Sequence, residues 1–137
     1  MFKKLFFIGL ILTFSSIFAT SEDDLLNAYR ILKKIGEYEN KKKAILVFQK
    51  FPDRKRVIAM VVDLLTYNYD NPNFRENDQV AFYDDVIAEE LVKILDKERL
   101  PSNFPAFLRI VLYSNRHREQ TVKAAWQGIK NIDWTKE

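Results

Sequence analysis

The chain has 137 residues, 47% of them hydrophobic and 14% aromatic, with 3 Gly, 4 Pro, 1 His and no Cys. This suits a single folded domain and excludes disordered, collagenous and low-complexity classes, which lack such aliphatic and aromatic content. It also excludes disulfide frameworks, thiol nucleophiles, iron–sulfur centres and His-built metal sites, and a net charge of only +3 is no nucleic-acid signature.

Lys3 and Lys4 open the chain, and an apolar run from Leu5 to Phe18 follows, broken only by Gly9, Thr13, Ser15 and Ser16. Small residues, Ala19-Thr20-Ser21, lead to an abrupt charge at Glu22-Asp23-Asp24. A positive start, a short apolar stretch and a small-residue exit predict a signal peptide over residues 1–21, cleaved after Ala19 or Ser21. The run is short for a membrane span, which takes about 20 apolar residues, so a retained N-terminal anchor is the alternative. Ser21 followed by three acids also looks like a helix N-cap with an acidic first turn, which favours the cut after Ala19. Without Lys3 and Lys4 the remaining chain is close to neutral. The expected location is the periplasm or cell envelope of a bacterium.

Residues 22–137 read as one helical domain. Leu25, Leu26, Tyr29, Leu32 and Ile35 recur at threes and fours up to Gly36, a helix stop. A polar stretch, Glu37 to Lys43, leads to the apolar positions Ala44, Ile45, Val47, Phe48 and Phe51. Pro52 breaks that helix and Asp53 caps the next, whose residues Ile58, Val61, Val62 and Leu64 predict burial on most sides. Tyr67 to Asp78 is a loop rich in Asn and Asp around Pro72. The long helix Asn77–Lys97 should turn Val80, Tyr83, Ile87, Leu91, Ile94 and Leu95 inward and Asp84, Asp85, Glu89, Glu90 and Lys93 outward. Phe104 to Leu112 forms the fifth helix, with Pro105 in its first turn, and Ser114 to His117 is a polar turn. Val122, Ala125, Trp126 and Ile129 mark the sixth, with Trp126 expected in the core.

Two stretches are alike at an offset of 65: Ile45 matches Ile110, Phe48 matches Tyr113, Val57 matches Val122 and Ala59 matches Ala124. Each is a helix, a tight turn and a second helix, the unit of an α-solenoid. Here the chain resembles HEAT-type repeats. Ala28 and Leu32-Lys33-Lys34-Ile35-Gly36-Glu37 look like the end of a family B helix. Ala44 to Phe51, Asp53 and Val57 look like the next pair, and Pro105 to Leu112 with Glu119 and Val122 to Ala125 like another. The long helix stands between the pairs. The resemblance implies an all-α, HEAT-like solenoid of antiparallel hairpins, about six helices after the leader.

No motif carries catalysis: GxSxG, GxGxxG, HExxH and a phosphate-binding lysine loop are all missing. His117, flanked by arginines, reads as a solvated turn residue. Asp84, Asp85, Glu89 and Glu90 read as a solvated acidic face, and Asp70-Asn71-Pro72-Asn73 as turn chemistry without the spacing of a calcium loop. Neither metal nor cofactor is expected. The clusters Lys41-Lys42-Lys43 and Arg54-Lys55-Arg56 are candidate basic surfaces, able at most to make weak membrane contact. Tyr67, Tyr69 and Phe74 in the loop and Trp134 in the tail are candidate interface residues, because exposed aromatics anchor contacts. The function expected is a non-enzymatic envelope adaptor or scaffold that binds another protein, within a larger assembly or alone. The alternatives are a helical carrier of an apolar ligand and a protein tethered by an uncleaved leader.

Overall fold

A computed structural model describes residues 21–69 and 78–136. Among them are six α-helices and no strand: α1 (Glu22–Leu32), α2 (Tyr38–Lys50), α3 (Arg54–Tyr67), α4 (Gln79–Glu98), α5 (Phe104–Leu112) and α6 (Glu119–Lys130). Single 3-10 turns, Pro101–Asn103 and Ser114–Arg116, precede α5 and α6. The predicted leader up to Thr20 and the loop residue Phe74 lie outside the described residues.

Local chemistry explains most of the helix ends. Ser21 and Asp24 form a reciprocal capping box at the start of α1, each side chain accepting the other's backbone N–H at 3.1 Å. Asp53 and Asp78 cap α3 and α4 by accepting from Arg56 and Ala81. The α1–α2 turn takes two consecutive left-handed residues, Gly36 (φ 77°) and Glu37 (φ 57°). Only Gly adopts the first without strain. α2 therefore begins at Tyr38, and most of the polar stretch expected to lead into it forms its first turns.

Residue pairs give the direction of each helix. Glu22 with Arg56, and Tyr29 with Asp63, match α1 and α3 start to start. Val62 and Thr66 of α3 line one groove with Ala106 and Arg109 of α5 in the same order. In the other set, Lys41 meets Asp84 and Gln49 shares a groove with Glu90, so α2 and α4 run parallel. Asp85 with Thr121 and Asp96 with Asn131 do the same for α4 and α6. Helices α1, α3 and α5 thus form one layer and α2, α4 and α6 an antiparallel one. The most extensive packing joins α4 to α6, α1 to α2 and α5 to α6, and α4 also lies against α2 and α3. The helices matched at the offset of 65, α2 with α5 and α3 with α6, fall in opposite layers.

Between the layers lies a continuous core that includes Leu25, Leu32, Phe48, Val57, Val61, Leu64, Leu91, Leu95, Phe107 and Ile110. Val61 and Leu64 are fully buried, as their spacing predicts. At the α5–α6 contact the Phe107 ring lies against Gly128, where an added Cβ would be 2.6 Å from the ring. Trp126 is not core: it is 48% exposed, because among the described residues α6 ends its layer with no further helix beyond it.

The first turns of α4 also depart from expectation. Val80 and Tyr83 are exposed, while Asp85 is fully buried and Asp84 partly so. Hydrophobic spacing alone would turn the acids to water; the structure supplies each with cations or donors from distant segments, which reverses the preference.

Candidate functional site

The neighbouring carboxylates of α4 serve different partners. Asp84 accepts from the Lys41 ammonium at 2.8 Å and from the Gly36 N–H at 3.4 Å. Lys41 is completely buried, its Nζ 5.0 Å from the centre of the Tyr69 ring. The expectation of a surface lysine at 41 is therefore corrected: the buried carboxylate holds it inside. Tyr69 is buried as well, its hydroxyl donating to the Leu32 carbonyl at 2.6 Å. Burial and, secondarily, the Asp84 charge push its ionisation far above the ordinary phenol range. Tyr69 is thus a tie between α3 and α1 and not an exposed interface residue.

Asp85 binds the turn before α6. Its Oδ1 lies 2.7 Å from His117 Nδ1, and its Oδ2 accepts from the Arg118 N–H at 2.8 Å, Arg118 Nε at 3.1 Å and the Thr121 hydroxyl at 2.7 Å. Arg118 reaches on to Glu89 at 2.5 Å. Burial by itself would raise the Glu89 carboxyl, but hydrogen bonds from Arg118 and Lys93 outweigh it and hold the group below its usual range. α6 has no side-chain cap of its own; a carboxylate from α4 serves its first N–H instead.

His117 is consequently buried and oriented by an acid, not solvated. The sequence gives no hint of this, since Asp85 is 32 positions away. The pair has the composition of a general-base dyad, but Nε2 is enclosed and unpartnered, so no substrate atom reaches it. Among the described residues no group of three or more His, Asp or Glu is arranged to hold a metal ion.

The other basic residues are largely paired. Lys42 bonds Glu39 at 3.1 Å, Arg54 bonds Glu98 at 3.1 Å and three main-chain carbonyls, and Arg56 pairs with Glu22. Lys43 and Lys55 are exposed on different helices. The two clusters do not merge into one basic patch. Of the aromatic candidates, Tyr67 is exposed at the end of α3, and Trp134 is exposed with its ring edge against Phe104, centroids 5.7 Å apart. They sit at opposite ends of the helix layers.

A different surface gathers apolar groups. Between α2 and α4 runs an open groove of about 260 Å³, lined by Tyr38, Ile45, Leu46, Val86 and Ile87, with Lys42, Gln49 and Glu90 at its rim. Tyr38 stacks on Tyr83 at 4.4 Å between ring centroids, closing one end. Leu46 is 52% exposed. The sequence reading missed this groove, because its walls come from two helices about 40 residues apart. The signal was present only in part: Leu46 interrupts the buried phase of α2, an apolar residue with no inward neighbour to explain it. Among the described residues no helix is long and apolar enough to cross a membrane. Compared with family models, with curated proteins and with solved structures, the chain matches none.

Proposed function

We propose that this chain is an exported, non-enzymatic helical-repeat scaffold of the bacterial cell envelope, which holds a helix of a partner protein in the groove between α2 and α4. The observation that carries the reading is that groove: half-exposed Leu46 and partly exposed Tyr38 and Val86 form an apolar trough over buried Ile45 and Ile87. Its parallel walls and charged rim suit an amphipathic helix, whose apolar face fills the trough while its flanks meet Lys42 and Glu90. The alternation of helix direction between two layers, with α1 packed on α2 and α5 on α6, supports stacked hairpins of HEAT-like type, although α2 and α3, paired by the resemblance, are not packed closely together. Residues 1–21 act as the leader and residues 22–137 as the binding domain. A carrier of an apolar ligand needs a chamber shut to water, whereas the α2–α4 hollow is a groove open on one side. His117 is engaged in holding the α5–α6 turn, which favours a binding role over a catalytic one.

Capture of envelope proteins by the tagged chain tests the reading. Leu46→Glu together with Val86→Lys should abolish recovery of the partner and leave the melting temperature within a few degrees, since Leu46 is half-exposed and Val86 lies at the groove wall. Undiminished capture by a folded double variant refutes this groove as the docking site.

A further inference from the structure

The layer geometry brings the C-terminal ends of α1, α3 and α5 and the N-terminal ends of α2, α4 and α6 to one edge of the molecule. Three of the most exposed large apolar side chains lie there, one at each helix end: Ile35 (84% exposed), Tyr67 (76%) and Leu112 (68%). Val80, Phe82 and Tyr113 add to them. At the opposite edge the comparable residue is Trp134, which leans on Phe104. The asymmetry is not a consequence of core packing, because these side chains point away from the core.

Charge at the same edge is also one-sided. The carboxylates of Asp84, Asp85 and Glu89 are drawn inward by Lys41 and Arg118. What remains there among the described residues is Arg30, Lys33, Lys34, Lys42 and the half-buried Arg109 and Arg116 against Glu37, Glu39, Asp78 and Glu119, with Glu39 paired to Lys42. Of these acids, Glu37 pairs with Lys34, Asp78 caps α4, and Glu119 lies near Lys123. Arg109 and Arg116 both stack over the Tyr113 ring, and Lys33 lies over Tyr29, so the cations sit beside aromatic faces.

We infer that this edge rests on an anionic lipid surface, with Ile35, Tyr67 and Leu112 dipping among the acyl chain tops and the basic residues meeting headgroup phosphates. A protein partner is gripped best where apolar groups form one recessed, closely packed pocket. Here they stand as separate projections in a row, each at the end of a helix. That arrangement buries little against a rigid surface but enters a fluid one. Tyrosines at the level of the headgroups and long basic side chains reaching past apolar tips complete an interfacial pattern. The inference does not depend on the α2–α4 groove, whose lining includes none of Ile35, Tyr67 and Leu112.

Sedimentation of the full chain with vesicles tests it, using equal phosphatidylcholine and phosphatidylglycerol against phosphatidylcholine alone. The expected result is binding to the anionic vesicles that weakens with added salt. Ile35→Ser with Leu112→Ser, and separately Lys33→Glu with Arg116→Glu, should each reduce it by about tenfold or more. Trp134→Ser, at the far edge, should leave it unchanged, and circular dichroism should show every variant folded. Absence of binding, equal binding to both vesicle types, or binding that survives both edge pairs overturns the proposal. So does a result in which the edge variants lose a protein contact while vesicle binding persists, which assigns the edge to a protein.

Discussion

Truncating Asp85 to Ala removes the acceptor for four hydrogen bonds in a site where the Asp85 and His117 side chains are closed to water and Arg118 is mostly so. The donors fare differently. Arg118 keeps Glu89, and the Thr121 hydroxyl can turn to the main-chain carbonyl of residue 85, 3.3 Å away. The Nδ1–H of His117 and the first N–H of α6 are left without partners. At about 1–3 kcal/mol for each buried orphan, the loss is about 2–6 kcal/mol. This agrees with the roughly 3–5 kcal/mol typical of breaking a buried charge pair from one side. Set against the ~5–15 kcal/mol of a domain this size, the variant folds but is severely weakened. Urea denaturation at 25 °C should show a lowered midpoint at unchanged slope. Thr121→Val, which removes one donor, should cost about 1 kcal/mol, and less in the Asp85→Ala background because their shared bond is already gone. A loss under about 1 kcal/mol for Asp85→Ala, or strict additivity with Thr121→Val, would refute the view that this carboxylate secures the α5–α6 turn.

Gly128→Ala puts a methyl 2.6–2.9 Å from three atoms of the Phe107 ring, and the overpacking should cost about 1–3 kcal/mol in the same assay. Lys41→Met and Asp84→Leu should each destabilise by leaving a buried charge unpaired, while the double variant recovers most of the loss, as a double-mutant cycle will show. The Tyr29 phenol, pushed up to about 12 by its hydrogen bond to Asp63, then burial and the Asp63 charge, gives a pH dependence of definite sign. Its folded value lies above the ordinary 10.0, so its contribution to stability is complete below pH 10 and is lost as pH rises towards about 12. Ultraviolet titration should place one tyrosine near the upper value and bring it down in Asp63→Asn.

What the sequence disclosed was what depends on neighbours along the chain. Ser21 and Asp53 as caps and Pro105 in a first turn follow from the needs of helix ends within four residues, whereas α1 stops at Leu32 and leaves Ile35 and Gly36 in the turn beyond it. The apolar phase of α3 placed Val61 and Leu64 correctly for the same reason. The polar interior was illegible because its pairs are remote: Lys41 with Asp84 and His117 with Asp85 are separated by 43 and 32 positions. A lone Lys or Asp in an amphipathic pattern goes outward by default, and only a partner on another helix overturns that. The arrangement of layers was hidden too. The offset of 65 relates similar helix–turn–helix segments, but spacing cannot say which neighbouring helices pack face to face. Trp126 illustrates the remaining gap, since an apolar residue at helical spacing is read as core whether or not another helix lies against it.

The adjacency of Asp84 and Asp85 has a geometric consequence for the whole domain. Successive side chains on a helix diverge by about 100° in projection. One carboxylate here is claimed by α2 and the next by the turn before α6, so α4 is fixed about its own axis by two bearings taken from different directions. Leucine and valine would tolerate a rotation of some tens of degrees by repacking; this pair of directional contacts would not. Sliding α4 by one position would present the wrong side chain to both partners at once. The middle helix therefore acts as an alignment gauge, setting the first hairpin in register with the last.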